Sequence, residues 1–511
     1  MDPLSLEDVL RDKYCINCEN KSFIPSNELS QILTDPAIRH ILHQKLQCDD
    51  DDLERLIAQI LNDDIGNGHK KIFAILVIIG KVKYIKDFIH ASVRDADLPL
   101  DLEYLRGRLA NCKIHYLEAF YERQWLVIVP VLNFTVDIVP PKYSAREILP
   151  ILEKKRIGGG AHGILWKVQI HPGHIRGNKS QDSHFALKQV DDRSQWEDEL
   201  NALRHFSGQH AGHDHLIQLL LAYEHEDIGF FLVFPFAEGN LKQYWESNIS
   251  RYPTFGHAYW LVEQCLGLAA ALRKVHRHDS WPGDDRGRHG DIKPENVLWF
   301  KGSGVDHGRL VIADFSLTRF HRNDTVENTV PGERGFSSAY RPPEVDAQPR
   351  IQAAQRFDVW SLGCLFLEFI AWYLVGYSAT RGRGDIVDHF GEGYKSFMHA
   401  RLMDDDRSRD GIDQDKFFNI TDRRAGLARV KLSVTAWMIF LHRSKNCSEA
   451  IHAILNLIEN GMLLPEPTAR FEMARVAIDL TEILKKCERK DYCLREQNSQ
   501  LQTNRRASVM R

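Results

Sequence analysis

Apolar side chains recur at helical spacing through the first 140 residues of the chain. The segment Thr34-Asp35-Pro36 is a helix-start signal, because a capping side chain precedes a proline whose missing N–H costs nothing there. Ile38, Ile41 and Leu42 then lie on one helix face. A second apolar stripe follows the acidic run 49–52 and comprises Leu53, Leu56, Ile57, Ile60 and Leu61. We interpret residues 1–140 as a helical domain, either a small bundle without chemistry or a docking or regulatory module with its own partner.

The pattern changes at Pro140-Pro141, because regular elements rarely cross a proline pair. Three strand-like runs follow, at Gly163–Ile170, His184–Val190 and Gly229–Pro235, and the chain is then rich in helical patterns. Residues 376–416 are rich in glycine and aspartate, which predicts a long loop or insertion. The last 25 or so residues are polar and predict a frayed tail.

Composition narrows the class of protein. The 511 residues are 43% hydrophobic and 27% charged, with a formal net charge of -4, which is ordinary for a globular protein and gives no sign of nucleic-acid binding. The nine cysteines are an odd number, which argues against a disulfide framework, so a reducing compartment is expected. The pair Cys15/Cys18 has no second pair of ligands at zinc spacing. The longest apolar run, 72–79, is shorter than the roughly 20 residues of a membrane span. We therefore expect an intracellular protein, cytoplasmic or nuclear, without a membrane partner.

A glycine-rich segment opens the strand-like part of the chain. Gly158, Gly160 and Gly163 fit the pattern G-x-G-x-x-G, which lets a backbone approach phosphates closely. Alone the pattern is weak, since dinucleotide-binding folds and plain turns share it. The strand-like run 164–168 that follows argues against a dinucleotide fold, which would open a helix at this point.

Fixed charges follow the glycines. Phe185-Ala186-Leu187-Lys188 places a cation on a strand, and Glu199 on the next helical pattern could pair with it. The string His289–Asn296 sets Asp291, Lys293 and Asn296 in one loop: a carboxylate to orient a hydroxyl and accept its proton, a cation, and an amide that can ligate Mg²⁺. Asp314 follows an apolar run and is a second candidate Mg²⁺ ligand.

With Pro342-Pro343-Glu344 and Asp358-Val359-Trp360-Ser361-Leu362-Gly363, this ordered set resembles the eukaryotic protein kinase family of the Ser/Thr type. The resemblance implies an α+β, two-lobed kinase fold over residues 150–485, with a small β-rich N-lobe and a large helical C-lobe. An all-α domain, 1–140, would precede it and a polar tail, 486–511, would follow. The helical block and residues 122–126 resemble kinases expanded in filamentous fungi.

The resemblance also implies ATP and Mg²⁺ as cofactors, a protein as substrate, and a role for each matched residue. Asp291 would be the catalytic base, Lys293 its phosphate partner and Lys188 the cation on the nucleotide. The implied cofactor-binding residues are Gly158, Gly160, Gly163, Ala186, Lys188, Glu199, Phe234 as gatekeeper, Phe236, Asn296 and Asp314, of which Asn296 and Asp314 would hold Mg²⁺. Ser337 would contact the catalytic aspartate, and Glu344 would pair with Arg470.

Two residues depart from the family pattern and leave alternatives open. Gly290 stands where an arginine usually clamps a phosphorylated activation loop, and Ser316 replaces the glycine after Asp314-Phe315. The leading interpretation is an active Ser/Thr protein kinase; a pseudokinase scaffold is the alternative, and a small-molecule phosphotransferase is a third. Ser508, after two arginines, resembles a site for basophilic kinases.

Overall fold

The computed structural model describes most of the chain. The described residues are 5–46, 48–62, 67–134, 139–160, 163–177, 184–207, 212–248, 254–276, 286–302, 307–321, 339–347, 354–381, 395–405, 414–422 and 424–495. Ser337 and Ser508, two predicted sites, lie outside these ranges. The chain forms two compact units, Met1–Trp196 with Leu219–Phe236, and Glu197–Gln218 with Ala237–Arg511.

The first part of the first unit is helical, as predicted. Its helices are α1 (Leu6–Asp12), α2 (Ser26–Ile32), α3 (Asp35–Lys45), α4 (Asp50–Ile60), α5 (Lys70–Ile78), α6 (Ile85–His90), α7 (Leu102–Arg108) and α8 (Ile114–Arg123). The start of α3 after Thr34 is confirmed, although the Thr34 side chain makes no capping hydrogen bond. At α4 the Asp49 carboxylate accepts from the Asp52 N–H at 2.8 Å. Every residue of 72–78 in α5 is buried, so this helix is the centre of the helical core.

A two-stranded hairpin interrupts these helices, where the sequence predicted only helix. Strands β1 (Cys15–Ile16) and β2 (Ser22–Phe23) pair antiparallel. The hairpin bonds to the segment that leads into the large sheet, because the Cys18 N–H donates to the Ile151 carbonyl at 2.8 Å and the Asn17 side chain donates to the Leu149 carbonyl at 3.2 Å. The helical region and the sheet therefore belong to one unit.

The sheet of the first unit has six strands. The strands of this region are β3 (Leu132–Asn133), β4 (Lys142–Tyr143), β5 (Ile151–Gly160), β6 (Gly163–Ile170), β7 (Ile175–Arg176), β8 (His184–Val190), β9 (Leu221–His225) and β10 (Gly229–Pro235). The order in the sheet is β4-β9-β10-β8-β6-β5, antiparallel except for the parallel pair β4 and β9. The three predicted strand runs are confirmed with the same bounds. The central strand β8 carries the predicted lysine.

The second unit is predominantly helical. Helix α9 (Arg193–Ser207) begins in the first unit and continues into the second. The other helices are α10 (Leu241–Ser247), α11 (Phe255–His276), α12 (Pro343–Ala347), α13 (Ala354–Val375), α14 (Tyr377–Thr380), α15 (Phe397–Met403), α16 (Leu432–His442), α17 (Glu449–Leu457), α18 (Met473–Lys486) and α19 (Lys490–Cys493). The strands are β11 (Gly239–Asn240), β12 (Arg286–Arg288), β13 (Val297–Phe300), β14 (Arg309–Ile312), β15 (Arg319–His321), β16 (Phe418–Asp422) and β17 (Leu427–Val430). The predicted α+β class with a helical N-terminal region is confirmed.

Two details of the second unit differ from or extend the sequence prediction. The segment 376–416 was predicted to be a loop, but its described residues include helices α14 and α15, whose short length hides them from periodicity. Among the described residues, the helix Gln355–Val375 is long and apolar enough to cross a membrane, and 94% of its apolar window is buried inside the structure. A helix that is apolar on all sides fits the core of this unit.

Candidate active site

The glycine-rich segment forms the end of a hairpin in the first unit. Strands β5 and β6 pair so that Gly158 lies opposite Leu165 and Gly160 lies opposite Gly163. Gly163 has a φ of +118°, and a Cβ there would lie 2.2 Å from the carbonyl oxygen of Gln189 on β8. Only glycine fits such a position, so the close approach of the hairpin to β8 depends on it. The residues between the two strands lie outside the described ranges.

The predicted lysine and the apolar nucleotide contacts lie on neighbouring strands of the same unit. Ala186 and Lys188 alternate along β8 with two buried apolar residues, so they share the opposite face. Ala186 is in register with Phe234 on β10 and with Lys167 on β6. The Lys167 ammonium lies 4.4 Å from the centre of the Phe236 ring. Ala186 and Lys188 on β8 and Phe234 on β10 are thus brought onto adjacent strands, and Phe236 follows the end of β10.

The predicted partner of Lys188 lies on a different unit. Glu199 is in the part of helix α9 that belongs to the second unit, and it is 3% exposed. Burial of a carboxylate requires a partner for its charge. The ion pair between Lys188 and Glu199 stays a prediction.

In the second unit, the string His289–Asn296 forms a compact loop around one carboxylate. The Lys293 ammonium donates to Oδ2 of Asp291 at 2.6 Å. The Asn296 amide donates to the same Oδ2 at 2.8 Å and to the backbone carbonyl of Asp291 at 2.9 Å. Asp291 is 8% exposed, so these contacts are shielded from water and hold the carboxylate in one orientation. The three residues of the predicted catalytic string are therefore brought together.

A buried carboxylate from α13 anchors this loop from behind. Asp358, which is fully buried, accepts hydrogen bonds from the backbone N–H groups of His289 and Gly290, each at 2.9 Å. The ring of His276, at the end of α11, lies 2.9 Å from the same carboxylate. Burial alone would raise the pKa of Asp358, but the hydrogen bonds from His276 and from the Gly290 N–H hold it below its ordinary value. Asp358 is thus an ionised anchor for the loop that carries Asp291.

His289 connects the anchor to the next motif. Its Nδ1 accepts from the Asp291 N–H at 3.3 Å, and its Nε2 lies 3.2 Å from the Ala313 carbonyl. Its ring packs edge-on against Phe315, with ring centres 5.0 Å apart. Burial lowers the pKa of His289, which favours the neutral ring that these contacts require. The imidazole therefore ties the loop 289–296 to the segment 313–315.

The second candidate Mg²⁺ ligand lies next to the first because of strand pairing. Asn296 precedes β13 and Asp314 follows β14, and these antiparallel strands bring the two ends together. The Ala313 N–H donates to the Asn296 carbonyl at 2.9 Å. Asp314 has a φ of +65°, and its carboxylate accepts from the Ser316 hydroxyl at 2.7 Å. The serine that departs from the family pattern is thus a direct partner of the candidate ligand.

The second departure, Gly290, has a backbone reason to be glycine. Its φ is +87°, and a Cβ there would lie 3.2 Å from the Leu317 carbonyl oxygen. An arginine at this position would adopt a conformation that L-residues rarely take. Glycine at this position therefore lacks the side chain that the family resemblance implies, and it adopts the positive φ without strain.

Elsewhere in the second unit, a bidentate ion pair joins two segments that are distant in the sequence. Arg470 donates to both carboxylate oxygens of Glu344 at 2.7 Å, and Arg470 is 1% exposed. The predicted pairing of these residues is confirmed. The remaining guanidinium donors bond to the backbone carbonyls of Leu464, Pro465 and Arg356. The pair therefore fixes α12 against the segment before α18.

A second buried charge network lies near Tyr340, and no sequence pattern indicated it. Glu368 on α13 is fully buried and accepts from the Tyr340 hydroxyl at 2.5 Å, from Arg381 at 2.8 Å and from Arg401 at 2.9 Å. Burial and the Glu368 charge raise the pKa of Tyr340. Arg381 and Arg401 lie in the segment predicted to be a loop, where no pattern indicates their burial. Asp358, by contrast, is the first residue of the motif Asp358–Gly363, so the sequence offered a signal for its role.

Comparison with known proteins matches the motif-bearing part of the chain. A family model described as the protein kinase domain matches residues 153–411. Cyclin-dependent kinase 2 from Caenorhabditis elegans is 27% identical over 248 residues, 46% of this chain and 57% of the relative. Mitogen-activated protein kinase 10 from Oryza sativa subsp. japonica and serine/threonine-protein kinase MPS1 from Encephalitozoon cuniculi are 25% and 26% identical, each over 42% of this chain and 32% of the relative. The chain thus spans about half or less of the length of these curated relatives.

Proposed function

This chain belongs to the protein kinase family, and from that premise we propose that it is an ATP-dependent Ser/Thr protein kinase, which transfers the γ-phosphoryl group of ATP to a hydroxyl of a protein substrate. The observation that carries the proposal is the contact of the Asp291 carboxylate with Lys293 at 2.6 Å and Asn296 at 2.8 Å. Phosphoryl transfer is mostly positioning and charge neutralisation, and this loop supplies an oriented base with a cation beside it.

In the proposed reaction, Asp291 orients the substrate hydroxyl and accepts its proton as the oxygen attacks the γ-phosphorus. Lys293 lies on one oxygen of Asp291, so its ammonium is in place to neutralise charge on the moving phosphoryl group. The Asp358 anchor keeps the backbone of the loop fixed while the charges shift. These three residues divide the work into base, charge neutraliser and support.

The donor set near Asp291 fits a magnesium ion. Asn296 offers an amide oxygen and Asp314 a carboxylate, which are the hard oxygen ligands that Mg²⁺ prefers, and the paired strands β13 and β14 bring their segments together. Mg²⁺ held by these two residues would neutralise charge on the ATP phosphates. ATP would lie against the first unit, with Gly158, Gly160 and Gly163 over the phosphates, Lys188 on the α- and β-phosphates, and Ala186, Phe234 and Phe236 beside the base.

One observation favours the alternative, a pseudokinase scaffold with little transfer. The Ser316 hydroxyl donates to Asp314 at 2.7 Å, so a ligand for Mg²⁺ already has a hydrogen-bond partner. A metal must compete with that bond. The retention of Lys188, Asp291, Lys293, Asn296 and Asp314 favours the active enzyme, because each group that the chemistry requires is present.

The family suggests a class of substrate, a partner and a location. We propose a protein substrate, because the named relatives are cyclin-dependent, mitogen-activated and serine/threonine-protein kinases. We also propose an intracellular location, and a docking partner for the helical region 1–140. Residues 150–485 would be the kinase domain and 486–511 the tail, which contains helix α19.

The test is transfer of labelled phosphate from ATP, with Mg²⁺, to the protein itself and to generic Ser/Thr-rich proteins. Asp291→Asn and Lys188→Met should each abolish transfer, whereas the exposed positions Asp491→Asn and Lys155→Met serve as matched controls and should keep it. Nucleotide binding is measured on the same preparations. Transfer that survives Asp291→Asn would contradict the proposed base, and ATP binding without transfer in the unaltered chain would favour the scaffold.

A further inference from the structure

Three metal-ligating side chains converge in the second unit, away from the residues of the candidate active site. His442 ends α16, Cys447 lies in the loop that follows, and His452 is on α17. The Nδ1 atoms of the two histidines are 2.7 Å apart, and their rings stack at an angle of 13°. The ligand atoms of all three residues lie within 4.8 Å of one another. Two imidazole nitrogens and a thiolate are a ligand set that zinc prefers.

The chain builds this corner from backbone hydrogen bonds. The Ser444 N–H donates to the Leu441 carbonyl at 3.1 Å, and the Cys447 N–H donates to the Ser444 carbonyl at 3.0 Å. Ser448 is the N-cap of α17, where its hydroxyl accepts from the Ile451 N–H. The cysteine is 1% exposed while both histidines are half-buried. The thiol therefore lies on the protein side of the cluster, and an ion can enter past the imidazoles.

Binding of an ion would require the thiolate form of Cys447. Burial raises the pKa of the Cys447 thiol to about 12, with Arg495 opposing the shift and Glu449 adding to it. The thiol is thus protonated without a metal, and a bound ion would release that proton.

The present distance between the histidines requires a small adjustment. An Nδ1–Nδ1 contact of 2.7 Å needs one protonated and one bare nitrogen. At zinc–nitrogen bonds of about 2.0–2.1 Å in a tetrahedral site, two ligating nitrogens lie roughly 3.3 Å apart. A shift of a few tenths of an ångström by each half-buried ring achieves this.

We propose that His442, Cys447 and His452 bind one zinc ion, with water as the fourth ligand. The ion would join the end of α16 to the start of α17 through three metal bonds. The ring that carries its hydrogen on Nδ1 would hold it on Nε2 instead, and the thiol proton would leave to solvent. Three protein ligands and a water are sufficient for zinc in proteins. The proposal concerns a site separate from Asp291 and does not depend on phosphoryl transfer.

The experiment uses the full chain, stripped of metal with a chelator and titrated with Co²⁺ as a spectroscopic stand-in for zinc. We expect a thiolate-to-cobalt charge-transfer band that saturates at one equivalent and disappears when Zn²⁺ is added. Cys447→Ser should abolish the band, and Cys112→Ser, which alters another buried thiol, should leave it unchanged. The band should strengthen with rising pH, because binding releases the thiol proton.

A second variant tests the proposal independently if Cys447→Ser disturbs folding. His452→Gln alters a half-buried ligand and should weaken Co²⁺ binding by more than about tenfold, since even outer-shell partners cost 10–100-fold. The matched control is His307→Gln, which alters a second stacked imidazole pair with His257. A folded chain, by circular dichroism, that gives no charge-transfer band overturns the proposal. So does a band that survives Cys447→Ser, or binding that is unchanged in His452→Gln.

Discussion

Replacing Asp358 with asparagine tests whether the buried carboxylate anchors the loop 289–296, which carries the proposed base Asp291. Its oxygens accept from the N–H groups of His289 and Gly290 and from the His276 ring, each at 2.9 Å. Asparagine has the same shape but offers one acceptor oxygen and one NH₂ donor. If the oxygen stays with Gly290, the NH₂ faces the His289 N–H, while His276 can change tautomer and accept. One buried backbone donor is then left unsatisfied.

The expected cost follows from these contacts. An unsatisfied buried donor costs about 1–3 kcal/mol, and the bond to Gly290 loses its charge assistance, which is worth about 1 kcal/mol. Asp358→Asn should therefore lower the free energy of unfolding of the second unit by about 2–4 kcal/mol. If the proposed function is right, kcat should fall while ATP binding changes little, because Asp291 follows Gly290 directly.

Urea denaturation, followed by tryptophan fluorescence, measures the change in stability. The matched control is Asp491→Asn, where an exposed carboxylate pairs with Arg489 on the surface and water screens the pair, so a much smaller cost is expected. The pH adds a second check. The folded pKa of Asp358 is lowered, so its ionised form stabilises the fold above the unfolded pKa of about 3.9 and the gain is lost as the pH falls through the folded value. The difference between wild type and Asp358→Asn should be constant from about pH 5 to 8 and shrink under more acidic conditions.

If Asp358→Asn lowers the free energy of unfolding no more than Asp491→Asn does, Asp358 is not an anchor, because its three hydrogen bonds then contribute nothing measurable. A loss of stability that is unchanged on acidification through the unfolded pKa would refute the assignment of an ionised carboxylate. Retained stability with lost transfer would instead indicate that the loop moves without the fold being weakened.

Three further predictions test other contacts. Arg470→Met should lower the free energy of unfolding by about 3–5 kcal/mol in urea, because Glu344 would keep a buried charge without its partner; a cost below 1 kcal/mol would contradict this. Gly163→Ala should lower the melting temperature and weaken ATP binding more than Gly80→Ala, since both have positive φ but only the first Cβ meets a backbone oxygen, at 2.2 Å. Ser316→Gly should lower the Mg²⁺ needed for half-maximal transfer, up to about tenfold for one lost hydrogen bond to a carboxylate; an unchanged requirement would show that the bond does not compete.

Local patterns predicted much of this protein because they depend on near neighbours in the chain. The runs at Gly163–Ile170, His184–Val190 and Gly229–Pro235 alternate or cluster apolar residues, and each forms a strand with those bounds. The acidic run 49–52 supplies the N-cap and the first turn of α4, because carboxylates favour a helix N-terminus. The spacing of Asp291, Lys293 and Asn296 fits one short loop, so their convergence follows from sequence alone.

Other features depend on segments that only folding brings together. The ion pair of Glu344 with Arg470 spans 126 positions and was expected only through the family resemblance. The hairpin at Cys15–Phe23 has strands of two residues, too short for a periodic signal. Helices α14 and α15 interrupt a polar segment whose buried arginines gain their partner from Glu368 on α13. A charged side chain can be buried when an oppositely charged group pairs with it. Here that group is distant in the sequence, so no local pattern indicates the burial.

Residue type and spacing were enough to predict the order of the chemical groups, the strands that carry the glycines and Lys188, and the loop that carries Asp291. These features depend on interactions between residues that are close together in the sequence. Folding is required to place Asp358 behind the loop that carries Asp291, to bond Ser316 to Asp314, and to bring two histidines and a cysteine together between α16 and α17. In each of these cases the side chain's role is set by distance, burial and the direction of hydrogen bonds, and those quantities exist only once the chain has folded.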